Sequence, residues 1–433
     1  MQKTGLVWFR NDLRSQDNAS ITAAIKENDR VIGVFCFDPD LFKTNTYGFK
    51  KTEKYRAKFL IETITQLRDH LEKLNISLLV YYKKPEHIIP EIVQQHQIQH
   101  IYLQKEWTQE EVDTCNRVKN SKDMSHIRWV ENYDQFLFHP DDVPFEIENI
   151  PKVFTNFRKK CEKYSSVKDV LQTPVLSSEN KVDHNTKIPE LADLDFEDFT
   201  VSTKSAFPFK GGEYEAQKRI QSYFWDTERL SYYKKTRNGL VGVDYSSKLS
   251  AWLANGSISA RSIYHEVKKY ERNIKKNDST YWLIFELIWR DFFKYISLQH
   301  NNSIFLLGGI LEKKYEWKTD SNLINQWMNG ETHEPFVNAN MIELKETGWM
   351  SNRGRQNVAS FFAKDQELDW RIGASYFESL LIDYDVHSNY GNWMYVSGVG
   401  NDPRDRKFNI KVQAERYDAN HKFQNMWLQQ TLF

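Results

Sequence analysis

Gly5-Leu-Val-Trp-Phe-Arg-Asn-Asp12 opens the chain as an apolar run cut off at once by a cation, an amide and an acid. A short run of this kind reads as a strand buried on both faces, the type found in parallel sheets. Four similar runs follow, Val31 to Phe37, Ile76 to Tyr82, Ile98 to Leu103 and Ile127 to Val130. Between them, Asn18 to Glu27, Thr52 to Lys73, Pro85 to His96 and Thr108 to Lys119 carry helical patterning. The alternation predicts an α/β domain over residues 1–135, a Rossmann-like doubly wound parallel sheet whose ligands bind beyond the carboxyl ends of its strands. No GxGxxG or GxxxxGK[ST] follows the first strand, so neither an ordinary dinucleotide site nor a P-loop is expected there.

Residues 136–204 are read as an interdomain connector, because Ser165 to Lys204 is polar and acidic with little periodicity. Beyond Phe207 the strand signals fade. Helical segments are expected at Glu213 to Trp225, Ser247 to Leu253, Ser259 to Tyr270, Thr280 to Gln299, Leu323 to Met328, Asn338 to Thr347, Arg355 to Ala363 and Ala374 to Leu381. Residues 205–433 therefore form an all-α domain. Of 13 Trp residues in the 433-residue chain, ten lie beyond residue 200, which marks the same division.

Lys+Arg and Asp+Glu number 59 each, so no chain-wide basic excess draws a polyanion, and any nucleic-acid site must be a local patch. Three widely spaced cysteines, Cys36, Cys115 and Cys161, give neither a disulfide scaffold nor a zinc site and fit a reducing cytosol. The N-terminal run is too quickly charged for a signal peptide, and the chain is read as cytoplasmic. Trp282 to Trp289 contains Glu286 and falls far short of the roughly 20 apolar residues of a spanning helix, so no membrane span is expected.

Tyr281-Trp-Leu-Ile-Phe-Glu-Leu-Ile-Trp-Arg-Asp-Phe-Phe293 is apolar nearly all round and predicts a helix at the centre of the second domain. Its Glu286 and Arg290 are placed for a same-face pair, with Trp289 beside them. Burying such charges is costly unless something needs them, which points to a polar ligand on this face. Asp244-Tyr-Ser-Ser-Lys-Leu-Ser250 offers hydroxyls, a cation and free amides before a helix, a set that suits a diphosphate and also an ordinary cap. Asp383-Tyr-Asp385-Val-His-Ser-Asn389 reads as a short loop able to hydrogen-bond a flat heterocycle. No regular ligand spacing supports a metal.

On these residues the chain resembles the photolyase and cryptochrome flavoproteins, most closely the DASH cryptochromes. The resemblance runs from Val7-Trp-Phe-Arg-Asn-Asp-Leu-Arg14 through Phe35-Cys-Phe-Asp-Pro, Gly211-Gly-Glu213, Asp244-Tyr-Ser-Ser-Lys, Glu286-Leu-Ile-Trp-Arg290, Trp349-Met-Ser-Asn-Arg-Gly-Arg355 and Leu381-Ile-Asp-Tyr-Asp385 to Gly398-Val-Gly-Asn-Asp-Pro403. It implies FAD in the helical domain, with Ser246, Ser247, Lys248, Leu249 and Ser250 at its diphosphate and Tyr233 nearby. Arg290 is implied to face the flavin, Asp383 and Arg355 to pair beside it, Asp385 to meet the ring edge and Asn389 to lie at its reactive nitrogen.

The resemblance also implies light-driven electron transfer from reduced flavin to a cyclobutane pyrimidine dimer. Glu286, Trp289 and Asn352 fall at the lesion, and Trp393, Trp370 and Trp317 on an electron relay to the surface. Glu106 is set against a folate antenna (5,10-methenyltetrahydrofolate), a solvent-facing helix starter being its plain alternative. Single-stranded DNA carrying pyrimidine dimers is the expected partner, held by Arg353, Gln356, Tyr395 and Gln413; no obligate protein partner is expected. Gln356 and Tyr395 are more polar than the Met and Trp usual in duplex-active relatives.

Two rivals remain. One is a blue-light receptor that binds flavin and nucleic acid without repair; the end of the chain at Phe433, just after Met426-Trp-Leu-Gln-Gln430 and without a long polar tail, disfavours it. The other is repair of the pyrimidine 6-4 photoproduct, disfavoured because Trp349-Met-Ser-Asn-Arg353 carries no His.

Overall fold

The computed structural model describes residues 2–429, so Gln430 and the chain end at Phe433 lie outside the described residues. The five apolar runs form strands β1 (Thr4–Trp8), β2 (Arg30–Cys36), β3 (Leu78–Tyr81), β4 (His100–Gln104) and β5 (Arg128–Asn132). They make one sheet in the order β3-β2-β1-β4-β5, and every pairing is parallel. The helices between them are α1 (Ala19–Glu27), α2 (Lys54–Lys73), α3 (Pro85–His96) and α4 (Gln109–Lys119). Side chains alternate across a strand, so Val7 and Phe9 pack with Ile21 and Leu67 of α1 and α2, while Leu6 and Trp8 pack with Ile89 and Val118 of α3 and α4. The sheet is thus covered on both faces. Its strand order reverses at β1, which opens a crevice where β1 and β4 end.

The segment following β5 carries helix α5 (Phe154–Tyr164) and is divided in its packing. Phe136, Phe154 and Phe157 join the core of the helical half, whereas Leu191, Leu194 and Phe196 return to the sheet domain.

The helical half contains α6 (Glu213–Ile220), α7 (Tyr233–Thr236), α8 (Ser250–Ala254), α9 (Ala260–Asn273), α10 (Asp278–His300), α11 (Ser321–Asn329), α12 (Pro335–Thr347), α13 (Asn352–Ser360), α14 (Trp370–Leu380), α15 (Val386–Ser397), α16 (Ile410–Tyr417) and α17 (Lys422–Leu428). At its centre is α10, begun by an Asn277–Thr280 capping box and buried over most of its circumference. Asp291, fully buried on α10, accepts from the amides of Leu137 (2.9 Å) and Phe138 (2.8 Å), and burial pushes its carboxyl up to about 6.

A buried charge network joins the two halves. Arg261 of α9 reaches Asp17 at 2.9 Å and Asp134 at 2.6 Å, and Arg14 reaches Asp134 at 2.5 Å, with all four side chains at most 6% exposed. Arg14 also donates to the carbonyl of Gly256 at 3.1 Å. Gly256 adopts φ +74°, and a Cβ there would lie 2.0 Å from the Asn11 carbonyl oxygen, so only glycine allows this approach of the two halves.

Removing one member of such a network leaves charge buried without a partner, at a cost of about 3–5 kcal/mol. Arg261→Met is therefore expected to lower the unfolding free energy by that amount in denaturant titration, with Arg261→Lys recovering part of it. A loss below ~1 kcal/mol for Arg261→Met overturns the assignment of the network as the domain clamp.

Candidate functional site

A cavity of about 470 Å³ opens in the helical half, between the loop before α8, the outward face of α10, and the starts of α13 and α15. Arg219 of α6 holds that loop in place. It donates to the carbonyls of Val243 (3.1 Å), Ser246 (3.0 Å) and Ser247 (3.0 Å) and pairs with Asp244 at 2.9 Å. With the carbonyls gathered on Arg219, Ser246 to Ser250 line the cavity.

Lys248 takes a left-handed φ of +63° and lies buried in the cavity wall over the Tyr245 and Trp349 rings. Its Nζ has no hydrogen-bond partner, and burial holds its pKa well below the usual lysine value. An unpaired buried amine beside hydroxyls and free helix-start amides is a set of donors that fits a diphosphate, whose negative charge would favour the protonated amine.

Other residues expected here come together, with differences. Arg355 makes a double hydrogen bond to Asp383 (2.8 and 3.0 Å), which also accepts from the Ser250 hydroxyl at 2.7 Å. The hydroxyl proton of Ser250 is thus committed to Asp383. Tyr233 and Asn352 line the cavity.

The segment read as a loop from Asp383 to Asn389 is instead the entry to α15. Asp385 is its N-cap, accepting from the Ser388 amide at 2.8 Å, and Asn389 lies in its first turn. Asn389 donates to the Ala374 carbonyl at 2.9 Å and faces a smaller adjoining pocket of about 80 Å³. Burial opposes ionisation of Asp385, but Lys294 at 2.8 Å outweighs it and holds the carboxyl well below the usual range.

The Glu286–Arg290 pair also resolves differently. Glu286 meets Arg237 at 2.8 Å, and burial pushes its carboxyl up against the pull of that guanidinium. Arg290 turns instead to the carbonyls of Gln135 (2.5 Å) and Leu253 (3.2 Å). Helical spacing allows the expected pair, but Arg237 lies closer across the cavity mouth. Trp289 stacks on Phe154, with ring centroids 3.6 Å apart and planes at 11°.

At the mouth, Arg353 donates to Gln356 at 2.9 Å, and the Tyr395 hydroxyl accepts from Arg406 at 2.9 Å. Gln413, on α16, is not among the lining residues. The sequence reading missed Arg219, Arg237 and Arg406; the partners of Arg219 and Arg237 lie 24 or more residues away in the chain, whereas Arg406 pairs locally with Asp402 and reaches Tyr395.

The three tryptophans expected to form a relay lie on α15, at the start of α14 and in the segment bridged to the residues just before α14. The Trp393 ring packs so tightly on Gly373 of α14 that a Cβ there would lie 2.2 Å away. Trp370 starts the same helix, its indole N–H donating to the Leu307 carbonyl at 3.0 Å. Trp317 is half-buried and precedes Lys318, which forms a backbone bridge with Leu368. Trp327, buried and not anticipated, lies edge-on to Trp393 with centroids 6.2 Å apart.

A second cavity, of about 640 Å³, occupies the crevice at the ends of β1 and β4 and is walled on one side by the helical half. Half-buried Glu106 lines it, accepting from Gln104 at 2.8 Å, and burial pushes its carboxyl up. Arg290 and Asp385 line both cavities and form the wall between them.

Comparison with known proteins matches residues 5–176 to the DNA photolyase family model and residues 282–431 to the FAD binding domain of DNA photolyase. The Cryptochrome DASH of Gloeobacter violaceus is 44% identical over 98% of this chain and 85% of its own length. That of Synechocystis is 45% identical over 98% and 87%. Among solved structures, a Synechocystis cryptochrome superposes with a TM-score of 0.94 at 44% identity, covering 98% of this chain and 88% of the other. A photolyase from Sulfolobus tokodaii, described with two FAD molecules, gives 0.78 at 25% identity, over 98% and 90%. FAD is accordingly the cofactor of the helical half, and the donor set of the first cavity fits it. The chain belongs to the photolyase and cryptochrome family of flavoproteins, in its DASH cryptochrome branch.

Proposed function

We propose that this chain is a light-driven lyase that splits cyclobutane pyrimidine dimers in single-stranded DNA. The observation that carries the reading is Glu286 and Trp289 side by side at the mouth of the flavin cavity, one a carboxyl with a raised pKa and the other a broad aromatic wall. When bound, FAD supplies the photoexcited electron donor. The protein supplies placement and electrostatics. The indole of Trp289, backed by Phe154, offers a stacking face to the two linked bases of an extruded dimer. The carboxyl of Glu286, when protonated, can donate a hydrogen bond to a pyrimidine carbonyl that gains negative charge, and Arg237 beside it adds positive potential. Arg353 and Asn352 stand at the same rim to meet the backbone and base edges.

The single-strand preference follows from the mouth's polarity. Gln356 is tied to Arg353, and Tyr395 presents its hydroxyl to Arg406, where a thioether and an indole would be apolar. Drawing a dinucleotide from a duplex costs a few kcal/mol, which a wet pocket offsets less than an apolar one. We assign the interdomain cavity to a folate-type antenna contacting Glu106, and residues 1–135, 136–204 and 205–433 to antenna domain, connector and catalytic domain. Free, buried Cys36, Cys115 and Cys161 suit a reducing, cytoplasmic setting.

Light-dependent repair of a defined dimer in a single strand tests the activity itself; flavin binding with no repair leaves the light-receptor reading. Three variants test its parts. Glu286→Gln is expected to lower repair yield per photon severalfold with flavin content unchanged, and loss of flavin would mark Glu286 as structural. Trp393→Phe is expected to abolish flavin photoreduction by an external donor, while repair from chemically reduced flavin survives. The same dimer is expected to be repaired much faster alone than annealed to its complement, with Gln356→Met plus Tyr395→Trp narrowing the gap; equal rates in the parent protein overturn the preference.

A further inference from the structure

The outward face of α10 does not end at the cavity. Tyr281, Trp282, Phe285 and Trp289 are all partly exposed on this stripe, an unusual concentration of large aromatic side chains on a solvent-facing helix surface. Phe285 and Trp289 line the cavity; Trp282, one turn nearer the helix start, lies beyond its rim. The rings form a continuous series. Trp282 stacks on Phe285 (4.7 Å, 26°), Phe285 meets Phe154 edge-on (5.2 Å, 85°), and Phe154 stacks on Trp289 (3.6 Å, 11°).

Cations border the series on two sides. Lys234 Nζ lies 4.5 Å from the Trp282 ring centroid and the Arg158 guanidinium 5.6 Å from that of Phe285. Lys235 and Lys159 are exposed next to them in sequence. Lys234 also pairs with Asp278 at 3.1 Å, and Arg158 with Glu162 at 2.7 Å. In a chain with no net charge, this is a local basic border around stacked rings.

We propose that Trp282 and Phe285, bordered by Lys234, Lys235, Arg158 and Lys159, form a stacking site for unpaired bases of a single nucleic-acid strand, on one side of the nucleotides seated in the cavity. The combination of π-faces with flanking cations is the chemistry by which single strands are held without sequence preference. An apolar protein segment would find no partner for the exposed Lys235 and Lys159, whereas a strand supplies bases for the rings and phosphates for these cations. A flexible lysine over an indole is readily displaced by a base and can then meet the neighbouring phosphate. This inference rests on the assignment of the cavity mouth to a lesion in single-stranded DNA, which it deepens by giving the flanking strand a path.

The test uses the flavin-loaded protein and fluorescent oligothymidylates by anisotropy at one salt concentration. The probes are a thymine dimer alone, the dimer extended by four nucleotides on its 5′ side, and the same on its 3′ side. The parent protein is expected to gain affinity on extension to one side only. Trp282→Ala should remove about tenfold of that gain while leaving dimer-only affinity, flavin content and thermal melting as in the parent. Trp282→Phe should keep most of the gain, and Lys234→Ala with Lys235→Ala should reduce its salt dependence. A gain that survives Trp282→Ala, or an equal loss with the dimer alone, overturns the inference even if repair proceeds normally. If no dimer is repaired but an undamaged strand still binds in a Trp282-dependent way, the repair reading fails and the stacking site stands.

Discussion

Two carboxylates that cannot be left alone, Asp17 and Asp134, govern how the halves of this molecule sit together. Each is almost wholly removed from water, and the cations that make this tolerable come from Arg14 in the sheet domain and Arg261 in the helical half. The requirement is one of satisfaction more than of strength, since breaking such a network costs far more than forming it gains. It fixes the register between the ends of β1 and β5 and the start of α9. The crevice at the sheet's switch point therefore becomes a cavity walled on one side by the helical half.

From that register, α10 works as a ruler. Glu286 and Trp289 stand at the flavin cavity's mouth, Arg290 in the wall shared with the second cavity, Asp291 on the connector amides, and Ser297 against the Trp107 indole at 2.9 Å. The two cavities have part of one wall in common. Arg290 and Asp385 each belong to both.

What the sequence discloses and what it hides follow a physical rule. The five strands are visible because parallel strands buried on both faces must be apolar throughout, as Val31 to Phe37 is. The course of α10 is visible for a similar reason. Helix α15 is not, because its buried positions include His387, Asn389 and Gly391, which leave no apolar stripe for periodicity to detect. Glu286 was matched to Arg290 because spacing reveals only neighbours on one helix; Arg237 approaches through the tertiary fold. The role of Arg219 is equally hidden, for a helix arginine that gathers three loop carbonyls looks in sequence like any surface cation. The residues assigned to the cofactor are legible only through the resemblance carried by long ordered motifs, since Ser246 to Ser250 alone reads as a cap.

The aromatic stripe on α10 also bears on self-association in concentrated solution. Exposed, ordered rings on a chain with no net charge are an invitation to self-association, because nothing at long range pushes two copies apart. Here the repulsion is supplied locally. Two copies meeting ring to ring would bring Lys234 and Lys235 of one against the same residues of the other, so the cations act as gatekeepers of the apolar face. A surface built this way favours a polyanion over a second copy of itself.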